Sequence, residues 1–158
     1  MKDVHMKDDA SEMYKILRTA QCIQRYDNIS HQLLAELVIA IATDGEVFGG
    51  NKRGSDVLSP SFSRIEVKSR ILGTDGAFPR ISLKPHNLEK SDWIVAVRWT
   101  RSFEFYDAIA LPKSAAASLF AGRLVEGKVA HVAWQNWAAA PSAVSLADKV
   151  RVALHELV

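Results

Sequence analysis

Hydrophobic positions recur with a helical period near the N-terminus and with a period of two in the middle of the chain. From Asp8 to Arg25, Met13, Ile16, Leu17, Ala20 and Ile23 fall at helical spacing, which predicts an amphipathic helix. After Asp27-Asn28 a second helix is expected from Ser30 to Thr43, apolar on nearly every turn through Leu33, Leu34, Leu37, Val38, Ile41 and Ala42. Asp44-Gly45 ends it, because glycine readily takes the left-handed conformation that helix ends prefer. Glu46-Val47-Phe48 then reads as a brief strand, followed by the glycine-rich basic loop Gly49 to Gly54.

The rhythm changes at Arg64-Ile65-Glu66-Val67-Lys68-Ser69-Arg70-Ile71-Leu72, where polar and apolar side chains alternate as in a strand with one buried face. Glu66, Lys68 and Arg70 share one face; Ile65, Val67 and Ile71 share the other. Just upstream, Ser55 to Ser59 is a short strand-like run closed by the turn signal Ser59-Pro60-Ser61. A hairpin is the shortest connection between the two runs, and it brings Asp56 beside Glu66.

Downstream, strands are expected from Phe78 to Leu83, with Arg80, Ser82 and Lys84 on one face, and from Asp92 to Trp99, apolar on both faces as in a central strand. Further strands are expected over Phe103 to Leu111 and Lys128 to Trp137. A turn or a short helical piece is expected near residues 85–90, a short helix over Ser114 to Phe120, and a last helix that starts at Ser145-Leu146-Ala147-Asp148 and reaches Leu157.

Composition narrows the class. A chain of 158 residues with 48% hydrophobic content suits one domain, residues 1–158, with an ample core. No apolar run has the length of a membrane span and the first residues are polar, so a cytoplasmic protein is expected. The single cysteine, Cys22, has no internal disulfide partner and falls in a helical pattern, which argues for a buried apolar role and against zinc. A net charge of +2 permits nucleic-acid binding without demanding it. Lys52, Arg53, Arg64, Lys68, Arg70, Arg80 and Lys84 nevertheless cluster in sequence around the acidic pair, as they would if phosphates approached there.

Two adjacent carboxylates repel each other, and a divalent cation is a common resolution; magnesium takes one or two carboxylates with waters and phosphate oxygens. A lysine beside such a site can hold an attacking water and balance charge building on phosphorus. With Asp56 and the triplet Glu66-Val67-Lys68, the segment resembles the PD-(D/E)xK, or restriction-endonuclease-like, nucleases over about residues 30–111, with Ser55 where the motif's name has proline. The resemblance implies an α/β fold with an αβββαβ core, a central mixed sheet flanked by helices. It implies Mg2+, with Mn2+ as a substitute, held by Asp56, Glu66 and the Val67 carbonyl, with Glu36 in the outer shell and Lys68 positioning the water. Arg53, Arg70, Lys52 and Arg80 are the residues expected on DNA phosphates, and cutting both strands of a duplex favours a homodimer.

Each feature has a plainer reading. Glu36, the only acidic residue on its apolar helix, can sit on an exposed stripe. The acidic pair and Lys68 can form a structural salt-bridge cluster. The fold can serve as a non-catalytic DNA-binding or assembly module. Trp134-Gln135-Asn136-Trp137 can read bases, but a strand end packed on the last helix is the simpler account. Leu146, Val150, Leu154 and Leu157 line one side of that helix and offer either a dimer seam or a contact with the domain's own core.

Overall fold

The computed structural model describes residues 5–19, 31–47, 56–73 and 80–157. Its elements run, in chain order, α1 (Met6–Thr19), α2 (Gln32–Ala42), β1 (Glu46–Val47), β2 (Val57–Ser59), β3 (Ser63–Ile71), β4 (Arg80–Leu83), α3 (Pro85–Glu89), β5 (Trp93–Trp99), β6 (Phe105–Pro112), α4 (Lys113–Leu119), β7 (Ala130–Ala133), α5 (Trp134–Ala138), β8 (Val144–Ser145) and α6 (Ala147–Glu156). The fold is α/β. One mixed sheet has the order β1-β2-β3-β5-β6-β8, and β4 pairs with β7 in a separate two-stranded sheet. β1, β2 and β3 form an antiparallel meander, β3 and β5 run parallel, and β5-β6-β8 return antiparallel. The parallel step needs a crossover, which β4 and α3 supply.

The alternation of β3 and the apolar run of β5 are what divide the interior in two. On one face Ile65, Val67, Val95, Val97 and Trp99 meet α1, α2 and α6. On the other, Ile94, Ala96 and Leu111 meet the small sheet and the short helices through Ile81, Leu83, Phe120, Trp134 and Trp137. The central strands are therefore covered on both sides, which is why β5 carries almost no polar residue. Among the described residues no helix is long and apolar enough to cross a membrane.

Several expectations shift. The stripe that α1 buries is Met6, Ala10, Tyr14 and Leu17, while Ile16 is exposed; on α2, Leu33 is likewise exposed. Residues 128–137 are not one strand: β7 ends at Ala133 and α5 begins at Trp134. The i, i+3 spacing of Trp134 and Trp137 puts both rings on one helical face, where both are buried and the Trp137 indole N–H donates to the Ile109 carbonyl at 3.0 Å. Those two tryptophans pack and are not presented to bases. β6 begins at Phe105, because Phe103 sits in a tight turn with φ 59°. Leu146, Val150, Leu154 and Leu157 are all buried in the chain's own core, so that side of α6 does not supply a dimer seam.

The end of α2 also differs in detail. The left-handed residue is Asp44, at φ 56°, with the Gly45 N–H donating to Ala40 and the Asp44 N–H to Ile41, the paired bonds of a Schellman ending. Glycine is needed one position later for space: a Cβ on Gly45 would lie 2.5 Å from the Leu58 carbonyl oxygen. The close approach it permits docks α2 against β2.

Candidate active site

The hairpin brings the acidic pair together. Val57 pairs with Ile65 and Leu58 with Arg64, so one residue beyond β2 Asp56 falls opposite Glu66. The Asp56 carboxylate accepts the Val67 backbone N–H at 2.8 Å. Lys68 Nζ lies 3.6 Å from Glu66 Oε2, and both side chains are largely buried. Across the parallel pair Glu66, Lys68 and Arg70 face the same side as Ile94, Ala96 and Arg98.

β2 is only three residues long, and its shortness shapes the site. Beyond it, the edge of β3 offers backbone groups with no neighbouring strand, and unpaired groups of that kind are costly once buried. Side chains close the edge. Asp56 takes the Val67 N–H. Gln32, from the first turn of α2, donates to the Val67 carbonyl at 2.6 Å and accepts the Ser69 N–H at 3.2 Å, so its amide stands in for a strand. Arg70 donates to the Ser69 carbonyl at 2.8 Å. On the buried side of Ser69, its hydroxyl meets His31 Nδ1 at 2.5 Å and accepts the Trp99 indole N–H at 2.9 Å.

Gln32 also donates to Glu36 at 3.1 Å, and this brings the third acid in. Glu36 is half-buried rather than on an exposed stripe. Burial pushes its carboxyl up to about 7, with the neighbouring Asp56 charge adding to the effect and Gln32 opposing it. Glu66 is pushed up to about 8 for the same reasons, burial first and Asp56 second, with Lys68 opposing. Asp56 thus acts on both glutamates in the same direction. Left to itself, the cluster resolves its repulsion by keeping protons that carboxylates ordinarily lose.

A divalent cation is the alternative to those protons. Among the described residues no group of three or more His, Cys, Asp or Glu forms a metal cage. Magnesium does not require one, since one or two carboxylates with waters suffice. Asp56 and Glu66 are the two carboxylates that could serve such an ion here. The Val67 carbonyl already accepts from Gln32, which leaves one of its two lone pairs.

The basic residues divide. Arg64 is held by a bidentate pair with Asp92, at 3.1 Å for each bond, away from the acids. Arg98 is buried against Asp107, 2.7 Å away, with its guanidinium over the Trp134 ring at 3.9 Å. Arg70 is half-buried, and burial lowers its affinity for a proton. Arg80 is exposed at the start of β4, on the same face as Ser82. Lys52, Arg53 and Cys22 lie outside the described residues. An open cleft of about 470 Å3 lies beside Lys68 and Arg70. A larger groove, about 720 Å3 between α1, the end of α2 and α6, touches none of these residues.

Gln32 is the residue that the sequence reading missed. Its signal was there: Gln32 and Glu36, four apart, share one face of an otherwise apolar helix. No protein-family model matches the chain, and a search of curated proteins finds no relative.

Proposed function

We propose that the protein is a metal-dependent nuclease that hydrolyses phosphodiester bonds in DNA, built on a restriction-endonuclease-like αβββαβ core. The observation that carries this reading is the hairpin register that sets Asp56 opposite Glu66 at the start of the Glu66-Val67-Lys68 triplet, with Lys68 Nζ 3.6 Å from Glu66. The order of a helix, three antiparallel strands, a crossover containing a short helix and a parallel strand supports it.

In this reading Asp56, Glu66 and the Val67 carbonyl would hold Mg2+ or Mn2+, with Glu36 behind them. Such a cation supplies neutralising charge at the scissile phosphate and acidifies water. Lys68 holds the attacking water in line and offsets charge developing on the phosphoryl oxygens. Arg70, further along the same face, orients a phosphate. Gln32 positions the others through the Val67 and Ser69 backbone.

A second reading has its own support. Asp56 and Gln32 serve a structural need at the β3 edge, and Lys68 gives Glu66 a partner, so the same cluster suits a non-catalytic DNA-binding or assembly module. Incubating the protein with labelled single-stranded, duplex and branched DNA and with RNA, in Mg2+ or Mn2+ and then in EDTA, separates the two. We expect metal-dependent cleavage that falls by roughly 100-fold or more, the usual scale for removing a transition-state contact, in Asp56→Asn, Glu66→Gln and Lys68→Ala. No cleavage of any substrate by the wild type, or undiminished cleavage by Asp56→Asn and Glu66→Gln, rejects the nuclease reading.

A further inference from the structure

The crossover between β3 and β5 does more than connect them. It raises a second wall beside the polar face of β3, and the cleft between has Lys68 and Arg70 on one side and Ser82, Lys84, His86 and Asn87 on the other. The alternation of β4 buries Ile81 and Leu83, which leaves Ser82 and Lys84 on the opposite face. Lys84 is held in place: its N–H donates to the Asn87 side chain at 2.8 Å and its carbonyl accepts the Asn87 N–H at 3.0 Å. Ser82 is fixed across the small sheet by His131, 2.7 Å from its hydroxyl.

Charge in this cleft is unbalanced. Lys68 has the Glu66 carboxyl 3.6 Å away, and the adjacent Arg98 is matched by Asp107. Neither Arg70 nor Lys84 has a carboxylate within ion-pair distance among the described residues. Two cations lining one cleft, with hydroxyl, amide and imidazole groups on the Lys84 side, suit an anion that carries several acceptor oxygens. Size limits the form in which it arrives. About 470 Å3 lies in the range that encloses a drug-sized ligand, on the order of one nucleotide. A whole B-form duplex, whose major groove alone is about 12 Å wide, is larger than this cleft.

We propose that this cleft binds a single strand of nucleic acid, with a phosphate next to the scissile one seated between Arg70 and Lys84. The inference rests on the nuclease reading for the word scissile, but binding by the cleft does not require cleavage. Lys84, His86 and Ser82 thereby become binding residues, and the substrate is one with an unpaired segment.

The test is fluorescence polarisation in EDTA, with an end-labelled oligothymidylate and a blunt hairpin duplex, across a series of salt concentrations. Wild type should bind the single strand at least tenfold more tightly than the duplex. Lys84→Ala should lower the slope of log affinity against log salt by about 0.7, the value for one phosphate contact on a single strand. Lys84→Glu, at an exposed position where folding is not at risk, should weaken binding further. Lys15→Ala, on the exposed face of α1, should leave the slope unchanged. An unchanged slope in both Lys84 variants, or equal affinity for the duplex, overturns the proposal. Cleavage by the wild type with indifferent Lys84 variants refutes the cleft and leaves the nuclease standing; a strand-binding cleft in a protein that cuts nothing does the reverse.

Discussion

Replacing Glu66 by glutamine should make the metal-free protein more stable, and increasingly so as the pH rises. The folded state holds the Glu66 proton with a midpoint of about 8, against an ordinary 4.5. Above pH 4.5 the unfolded chain has released that proton while the folded one keeps it, so unfolding releases a proton and stability falls with increasing pH until about 8. At about 1.4 kcal/mol for each tenfold change, the whole interval corresponds to at most about 5 kcal/mol. The part between pH 6 and pH 8 is about 2 kcal/mol, because the slope halves as the folded midpoint is reached. At roughly 2–4 °C per kcal/mol for a domain of this size, wild type in EDTA should melt roughly 4–8 °C lower at pH 8 than at pH 6. Glu36 adds to the fall with the same sign. His31 opposes it below about pH 6.5: burial first and Arg70 second lower its proton affinity, so its contribution is lost as the pH drops. Subtracting the Glu66→Gln curve from the wild-type curve removes the His31 part, and the difference should grow steadily up to pH 8. Magnesium should raise the wild-type melting temperature more at pH 8 than at pH 6, because protons compete for the same oxygens. A wild-type minus Glu66→Gln difference that stays flat from pH 6 to pH 8 would refute the account of the cluster.

Gln32→Ala should cost about 1–3 kcal/mol, the usual penalty for leaving buried backbone groups without partners, and should reduce cleavage although Gln32 touches no phosphate in the proposed mechanism; thermal melts and cleavage rates check both. Gly45→Ala should destabilise by about 1–3 kcal/mol, the usual cost of overpacking, since its Cβ would lie 2.5 Å from a backbone oxygen that cannot swing aside; a melting temperature equal to wild type would show that α2 does not dock as described. Arg64→Ala should change stability by less than about 1 kcal/mol, as exposed ion pairs do, and should leave cleavage intact because Asp92 holds that guanidinium away from the acids.

The parts of the site that could be read from the sequence are those whose geometry is local. A period-two run after a proline turn admits few alternatives to a hairpin, and a hairpin with this turn places Asp56 against Glu66. Glu36 was harder, because a carboxylate on an apolar helix can face inward or outward, and the choice depends on how α2 docks on β3, where Gln32 bonds both Glu36 and the Val67 carbonyl. Gln32 depends on where β2 stops, which no local pattern announces. The cleft was out of reach for the same reason: its far wall exists because β4 pairs with β7, Ser82 opposite His131, across 49 residues. The strand expected over residues 128–137 failed because two tryptophans three apart fit a helical face as well as a strand end.

The β3 edge ties stability to activity and decides which substitutions can separate them. Because β2 begins only at Val57, Asp56 both accepts the Val67 N–H and acts with its charge on two glutamates. Alanine at 56 removes both functions, so a loss of activity there could come from an opened sheet edge. Asparagine keeps an oxygen for the Val67 N–H and discards only the charge. If the cluster is a cation site, Asp56→Asn is inactive yet at least as heat-stable as wild type in EDTA, and magnesium no longer raises its melting temperature. If the cluster is a structural salt bridge, removing the Asp56 charge leaves Lys68 with less negative charge nearby, so the variant is the less stable of the two and neither protein responds to magnesium. The two accounts differ in the sign of a single measured difference, which holds whichever nucleic acid the protein cuts.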